Sequence, residues 1–160
     1  MNPTFESPEA AIFLDAFPGI PCRVAALATE GGDAYAVVDT GMEGQPRLHG
    51  IGVNRRDGGW EAGTAGDAPG WTLTDPAHGL GTAAAWGTAP EGTVRVRATF
   101  AGETREVPVA DGVYLIAWWR VPADGLPRIE AFRIGERWVA ATPEQQPGAR
   151  AHPRRPRPSR

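Results

Sequence analysis

The sequence predicts a mostly-β or α+β protein: a short N-terminal helix on an antiparallel sheet, followed by a small antiparallel β-sandwich-like module. Three observations carry that expectation. Twenty-one glycines and sixteen prolines cut the 160 residues into short segments, which leaves little room for long helices. Between the breaks, apolar residues recur at the period of two that belongs to strands. Glycine-containing turns such as Arg56-Asp57-Gly58-Gly59 and Asp111-Gly112 separate these runs at hairpin spacing.

The helix comes first. Ser7 is placed to cap free amides, Pro8 suits the first helical position and Glu9 favours the positive end of the helix dipole. Pro18-Gly19 stops the run, so the spacing predicts a helix over 8–17 with Phe13 and Phe17 on one face against a sheet. From Cys22 onward strands take over. Residues 22–29 and 34–40 flank a Gly-Gly hairpin, and residues 47–55 and 60–64 flank Asp57-Gly58. Within 47–53, His49, Ile51 and Val53 share one side and Gly50 and Gly52 the other. That pattern points to a backbone packed against something bulky, or to a bulge.

Residues 65–79 read as a loop, because Gly66, Pro69, Gly70, Pro76 and Gly79 interrupt any period. The loop divides the chain into a helix-plus-meander module, 1–70, and a β module, 71–142, packed on it or continuous with it. In the second module Val94, Val96, Ala98 and Phe100 alternate with Arg95, Arg97 and Thr99, as in a half-buried strand. Ala101-Gly102-Glu103 turns this strand into 104–109, and Asp111-Gly112 reads as a two-residue hairpin. Residues 113–119 are apolar on both faces, which predicts the most buried strand. Ile134-Gly135-Glu136-Arg137 joins a last pair, 128–134 and 137–141. Residues 143–160, with five prolines and almost nothing apolar, read as a disordered tail.

Composition narrows the function. All sixteen basic residues are arginine, so Schiff-base chemistry, the phosphate-loop lysine and the kinase strand lysine are absent. The chain-wide abundance of Ala, Gly, Arg and Pro points to coding bias as the cause. The tail 143–160 holds five arginines against one glutamate, while the body before it holds eleven basic and eighteen acidic residues. Such a tail attracts nucleic acid only non-specifically, and the acidic body opposes it, so nucleic acid is not the expected partner. Cys22 is the single cysteine, which excludes an internal disulfide and cysteine-rich zinc sites. No HxH, HExxH or CxxC spacing occurs, so neither a metal nor a cofactor is expected. No segment has the ~20 apolar residues of a membrane span, and the start lacks a secretory pattern, which predicts a cytoplasmic protein.

Four features invite a functional reading, each beside a structural one. Asp75 and His78 are the only acid–histidine pair close in sequence, the unit of general acid–base catalysis. Asp-Pro also initiates turns, and no serine or cysteine stands nearby in sequence, although the fold is free to bring Cys22 or Thr82. Gly79-Leu80-Gly81-Thr82-Ala83-Ala84 fits G-x-G-x-x-[GA], yet it lacks the preceding buried strand and following helix that a dinucleotide site requires. Its glycines instead suit the start of strand 80–88. Cys22 and His49 read as packed side chains. Finally, six tryptophans are a high number, and the adjacent pair Trp118-Trp119 must point to opposite faces of its strand. One of the two belongs to the core with Val113 and Leu115. The other shares a face with Tyr114 and Ile116, which is either covered by the N-terminal module or left as an aromatic patch for a partner.

The run Gly102 to Trp119, with its Asp-Gly turn and Trp-Trp pair, resembles small β-sandwich modules of bacterial proteins, and the resemblance implies no activity. The expected function is therefore a small non-catalytic binding or protein-interaction protein using an aromatic face, with Trp71, Tyr114 and Trp118 as its binding residues. The alternative is a small enzyme with Asp75 and His78 at the module junction.

Overall fold

The computed structural model describes residues 3–42, 44–66 and 68–147. Local turn chemistry sets most strand boundaries. β1 (Arg23–Glu30) and β2 (Asp33–Asp39) meet at Gly31-Gly32, and β3 (Leu48–Arg56) and β4 (Gly59–Ala62) meet at Asp57-Gly58. Asp57 and Gly58 both have positive φ, 48° and 82°, the backbone of a type I′ turn whose twist matches the flanking strands. The remaining strands are β5 (Gly70–Asp75), β6 (Leu80–Thr88), β7 (Thr93–Phe100), β8 (Glu103–Pro108), β9 (Val113–Pro122), β10 (Arg128–Ile134) and β11 (Arg137–Ala140).

They form three antiparallel sheets: β1-β2-β3-β4, β5-β6-β9 and β11-β10-β7-β8. The chain is thus mostly strand with one short helix, as the sequence predicts. The pleat explains how the sheets stack. On β9, Tyr114, Ile116 and Trp118 face the third sheet and pack with Val96, Phe100, Ile129 and Phe132. Val113, Leu115 and Ala117 face the first sheet and pack with Tyr35, Val37 and Trp86. The doubly apolar strand is therefore the middle of the stack. On β2, Ala34, Ala36 and Val38 turn the other way, toward Ala11, Ile12 and Phe17 of the N-terminal helical segment. The order of layers is helix, first sheet, second sheet, third sheet. Three consecutive alanines on β6, Ala83 to Ala85, are fully buried and leave room for the tryptophans on both sides of this middle sheet.

Several expectations are corrected. The segment 65–79 contains β5, because Gly70 and Pro76 bound a strand instead of breaking one and Trp71 to Asp75 pair with β6. The helix is α1 (Pro8–Ala11) continued by a π-helical turn, Ile12–Ala16, closed by Phe17 N–H donating to the Ile12 carbonyl (2.9 Å). The wider turn takes Phe13 off the face of Phe17, so Phe17 is buried while Phe13 is 39% exposed. Val94 is half exposed, and burial on β7 begins at Val96. Asp111 and Gly112 adopt positive φ, 52° and 74°, but the strands they join lie in different sheets. The turn is a corner between the third and second sheets, not a hairpin, and the resemblance of Gly102–Trp119 to a β-sandwich module spans that corner.

The start of the predicted tail is ordered. Pro143–Gln145 forms a 3₁₀ turn, after which the Gln146 side-chain amide pairs with Ile129 like an added strand residue. Its Oε1 accepts from the Ile129 N–H (2.9 Å) and its Nε2 donates to the Ile129 carbonyl (2.8 Å). Residues 148–160, including His152 and the five tail arginines, lie outside the described residues. Among the described residues no helix is long and apolar enough to cross a membrane.

Candidate functional site

A cleft of about 300 Å³ opens between the first and second sheets. Its floor is the β3 backbone at Gly50 and Gly52, the pair that alternates with His49, Ile51 and Val53 in the sequence. The chain after β4 runs back along the edge of β3, with Gly63 N–H donating to the Gly52 carbonyl (2.9 Å) and Gly66 exchanging two hydrogen bonds with Gly50 (2.8 and 2.9 Å). The opposite wall is the β5–β6 hairpin, which presents Thr72, Thr74 and Thr82. Tyr35 and Asn54 complete the interior, with Arg56 and Glu61 also lining it.

The two floor glycines serve different ends. A Cβ on Gly50 would collide with the Tyr35 hydroxyl and the Trp86 indole, so the expected packing of backbone against bulky groups is met there. Around Gly52 the nearest atom to such a Cβ is Tyr35 Cδ2, at 4.0 Å. Neither crowding nor φ demands glycine at Gly52, where its cost in a strand is about 0.5–1 kcal/mol relative to alanine. What it provides is open space.

Two polar residues that line this cleft, Thr82 and Tyr35, are buried, while Asn54 and Thr74 are half-buried and Thr72 is exposed. Thr82 is 5% exposed, lines the cavity and has no hydrogen-bond partner for its hydroxyl among the described residues. It stands directly across the strand pair from Thr72. Tyr35 is 9% exposed; burial pushes its phenol above the ordinary range, and the adjacent Trp86 indole offsets part of that rise. The Trp86 Nε1 is itself buried without a partner of good hydrogen-bond geometry, so its effect on the phenol is that of a nearby dipole. Arg56 and Glu61, 3.6 Å apart, pair with each other.

The residues expected to form an aromatic binding face do not form one. Tyr114 (5% exposed) and Trp118 (1%) lie in the core between the second and third sheets. Tyr114 meets Phe132 edge-on, and Trp118 packs on Phe100, with ring centroids 5.8 and 5.7 Å apart. Their cover is the third sheet, not the N-terminal module. Trp71 is half-buried on β5 and donates its indole N–H to the Val121 carbonyl (3.0 Å). Trp119 packs toward the first sheet, and Trp138 carries the Arg97 guanidinium over its ring at 4.1 Å.

Asp75 and His78 do form a pair, His78 Nδ1 to Asp75 Oδ2 at 2.8 Å, but on the solvent side of the β5–β6 turn, with side chains 44% and 73% exposed. The hydrogen bond from His78 holds the Asp75 carboxyl below its usual range. Neither residue lines the cleft, and no hydroxyl or thiol among the described residues bonds His78. Thr82 points into the cleft instead, and Cys22 is half-buried against the helix cluster, its thiol pushed up by burial. His49 is a packed side chain, bonded to Thr40 Oγ1 (2.9 Å) and stacked at a tilt on Phe17. Gly79 turns with φ 66° at the start of β6, in keeping with a structural role for that glycine run. Among the described residues no three His, Cys, Asp or Glu side chains gather as a metal site.

Thr72, Thr74 and Asn54 are the site residues that sequence reasoning missed, while the sequence points to Thr82 only as a group beside Asp75 and His78 and to Gly52 only as close-packed backbone. The alternation of Thr72 and Thr74 about Leu73 is a strand signal hidden between Gly70 and Pro76. No family model matches the chain, and neither does a curated protein or a solved structure.

Proposed function

We propose that this protein is a non-catalytic binding protein, and that its ligand is a small molecule held in the cleft between the first and second sheets. One observation carries the proposal: Thr82 is a buried residue, 5% exposed, that lines the cavity, and its hydroxyl bonds no group among the described residues, which leaves its hydrogen bonds to whatever fills the cleft. The open floor at Gly52 supports it. A free Cys22 thiol and a chain without disulfides suit the cytoplasm.

The test is a ligand-observed NMR screen of a mixed fragment library against the full chain and against Gly52→Val, whose isopropyl group enters the cleft beside the Tyr35 ring, with a thermal melt of the variant to verify that it folds. Binding of one or more fragments to the wild type and its loss in the variant is the expected result. Fragments that bind both proteins equally, or none that bind either, would remove the cleft from consideration.

A further inference from the structure

Resting on that reading of the cleft, we infer that its ligand is a neutral, polyhydroxylated molecule of about one sugar ring. The argument begins with charge. Among the described lining residues only Arg56 and Glu61 are ionised, and they face each other. Among the described residues a charged ligand would find no spare counter-charge in the cavity, and an unpaired charge is costly to bury.

Hydrogen-bond character comes next. Thr72, Thr74, Thr82 and Tyr35 offer hydroxyls, each able to donate and accept, and Asn54 offers both functions on one amide. Such groups match ligand hydroxyls, which also do both, and the match does not depend on a fixed protonation state. The Tyr35 phenol is held above its ordinary pKa and stays a donor throughout the neutral range. An apolar ligand would instead seal the Thr82 hydroxyl away unsatisfied.

Shape agrees. The volume of about 300 Å³ is at the lower end of small-molecule sites, enough for a single ring and not for a chain of them. At Gly52 the floor carries no side chain and leaves open space for the C–H face of a ring, while Gly50 beside it is covered by the Tyr35 hydroxyl and the Trp86 indole. The Tyr35 ring borders that floor.

The experiment uses the full chain, saturation-transfer NMR and a matched panel. The panel holds D-glucose, D-galactose, D-mannose, D-xylose and myo-inositol as neutral polyols. Glucuronate, galacturonate and glucosamine are the charged counterparts, and indole is the apolar probe. One or more neutral polyols should bind at least tenfold more tightly than the matching uronate and amino sugar. Thr82→Val, which keeps the side chain's shape, should weaken binding about tenfold, the value of one hydrogen bond, and Gly52→Val should abolish it. Three outcomes overturn the inference. If indole or a charged sugar binds best and Gly52→Val blocks it, the ligand class is wrong and the cleft stands. If no polyol binds the wild type, the ligand class is wrong, and the fragment screen alone decides the cleft. If a polyol binds wild type and Gly52→Val alike, both the class and the cleft fail together.

Discussion

The Trp71 indole reaches across β6 to the Val121 carbonyl on β9, a 3.0 Å hydrogen bond that spans the full width of the middle sheet. The bridge is possible because Gly81 lies beneath it: a Cβ there would meet the Trp71 ring and the Thr72 carbonyl. Edge strand, central strand and opposite edge are thereby tied by one side chain.

Breaking the bridge has a graded cost. Trp71→Phe keeps much of the ring but leaves the Val121 carbonyl short of a donor, and should lower stability by about 1–2 kcal/mol. Gly81→Ala forces the indole or the strand aside and should cost about 1–3 kcal/mol. Urea denaturation of both variants checks the values. A neutral Gly81→Ala would contradict the close approach described above.

The two glycines of the cleft floor should separate cleanly. Gly50→Ala drives a methyl into Tyr35 and Trp86, predicting a loss of about 1–3 kcal/mol. Gly52→Ala meets nothing closer than 4.0 Å and removes backbone freedom from the unfolded chain, so it should be neutral or stabilising by up to about 1 kcal/mol. Thermal melts of the pair suffice, since the expected signs differ.

Asp39 makes acid stability residue-specific. Burial raises its carboxyl pKa, but the Arg47 and Gly41 N–H groups and the Arg23 guanidinium outweigh it, and the folded value lies below the ordinary one. Because the folded pKa is depressed, the carboxylate stabilises the fold above the unfolded pKa of about 3.9, and this contribution fades as pH falls through the folded value. Asp39→Asn should therefore lower the urea midpoint at pH 7, and the gap to wild type should close below about pH 4. A gap independent of pH would show that the charge is not what matters.

Gln146 tests where the fold ends. Its amide supplies both a donor and an acceptor to Ile129, so Gln146→Ala should cost about 1–2 kcal/mol by the ordinary worth of two hydrogen bonds. Truncation after Thr142 should cost at least as much. Urea midpoints identical to wild type would place the boundary before residue 143.

Much of this architecture is written in short-range sequence. The doubly apolar run of β9 predicts its central place, and Asp57-Gly58 predicts its hairpin, because hydrophobic period and positive φ are local properties. Asp111-Gly112 shows the limit: the dipeptide fixes a turn's dihedrals but not whether the flanking strands pair, which the tertiary partners decide. β5 escapes notice because Gly70 and Pro76 look like loop punctuation, and its register is set by β6. Phe13 is misplaced because a π turn shifts the helical period by one residue. The cleft is the least legible feature. Threonine and glycine carry no motif, and the space between them exists only where two sheets, distant in sequence, are brought face to face.

Five of the six tryptophans, unneeded for an aromatic surface, are distributed among the layers, and Trp138 lies under the Arg97 guanidinium. Trp60 packs with the helix and first sheet, Trp86 and Trp119 lie between the first and second sheets, and Trp71 and Trp118 pack in the core between the second and third. Each hydrophobic seam thus contains its own intrinsic fluorophore. Emission followed through unfolding, with the other tryptophans replaced by phenylalanine, would separate the loss of one seam from the next, so the protein carries within its sequence the optical means of ordering its own disassembly.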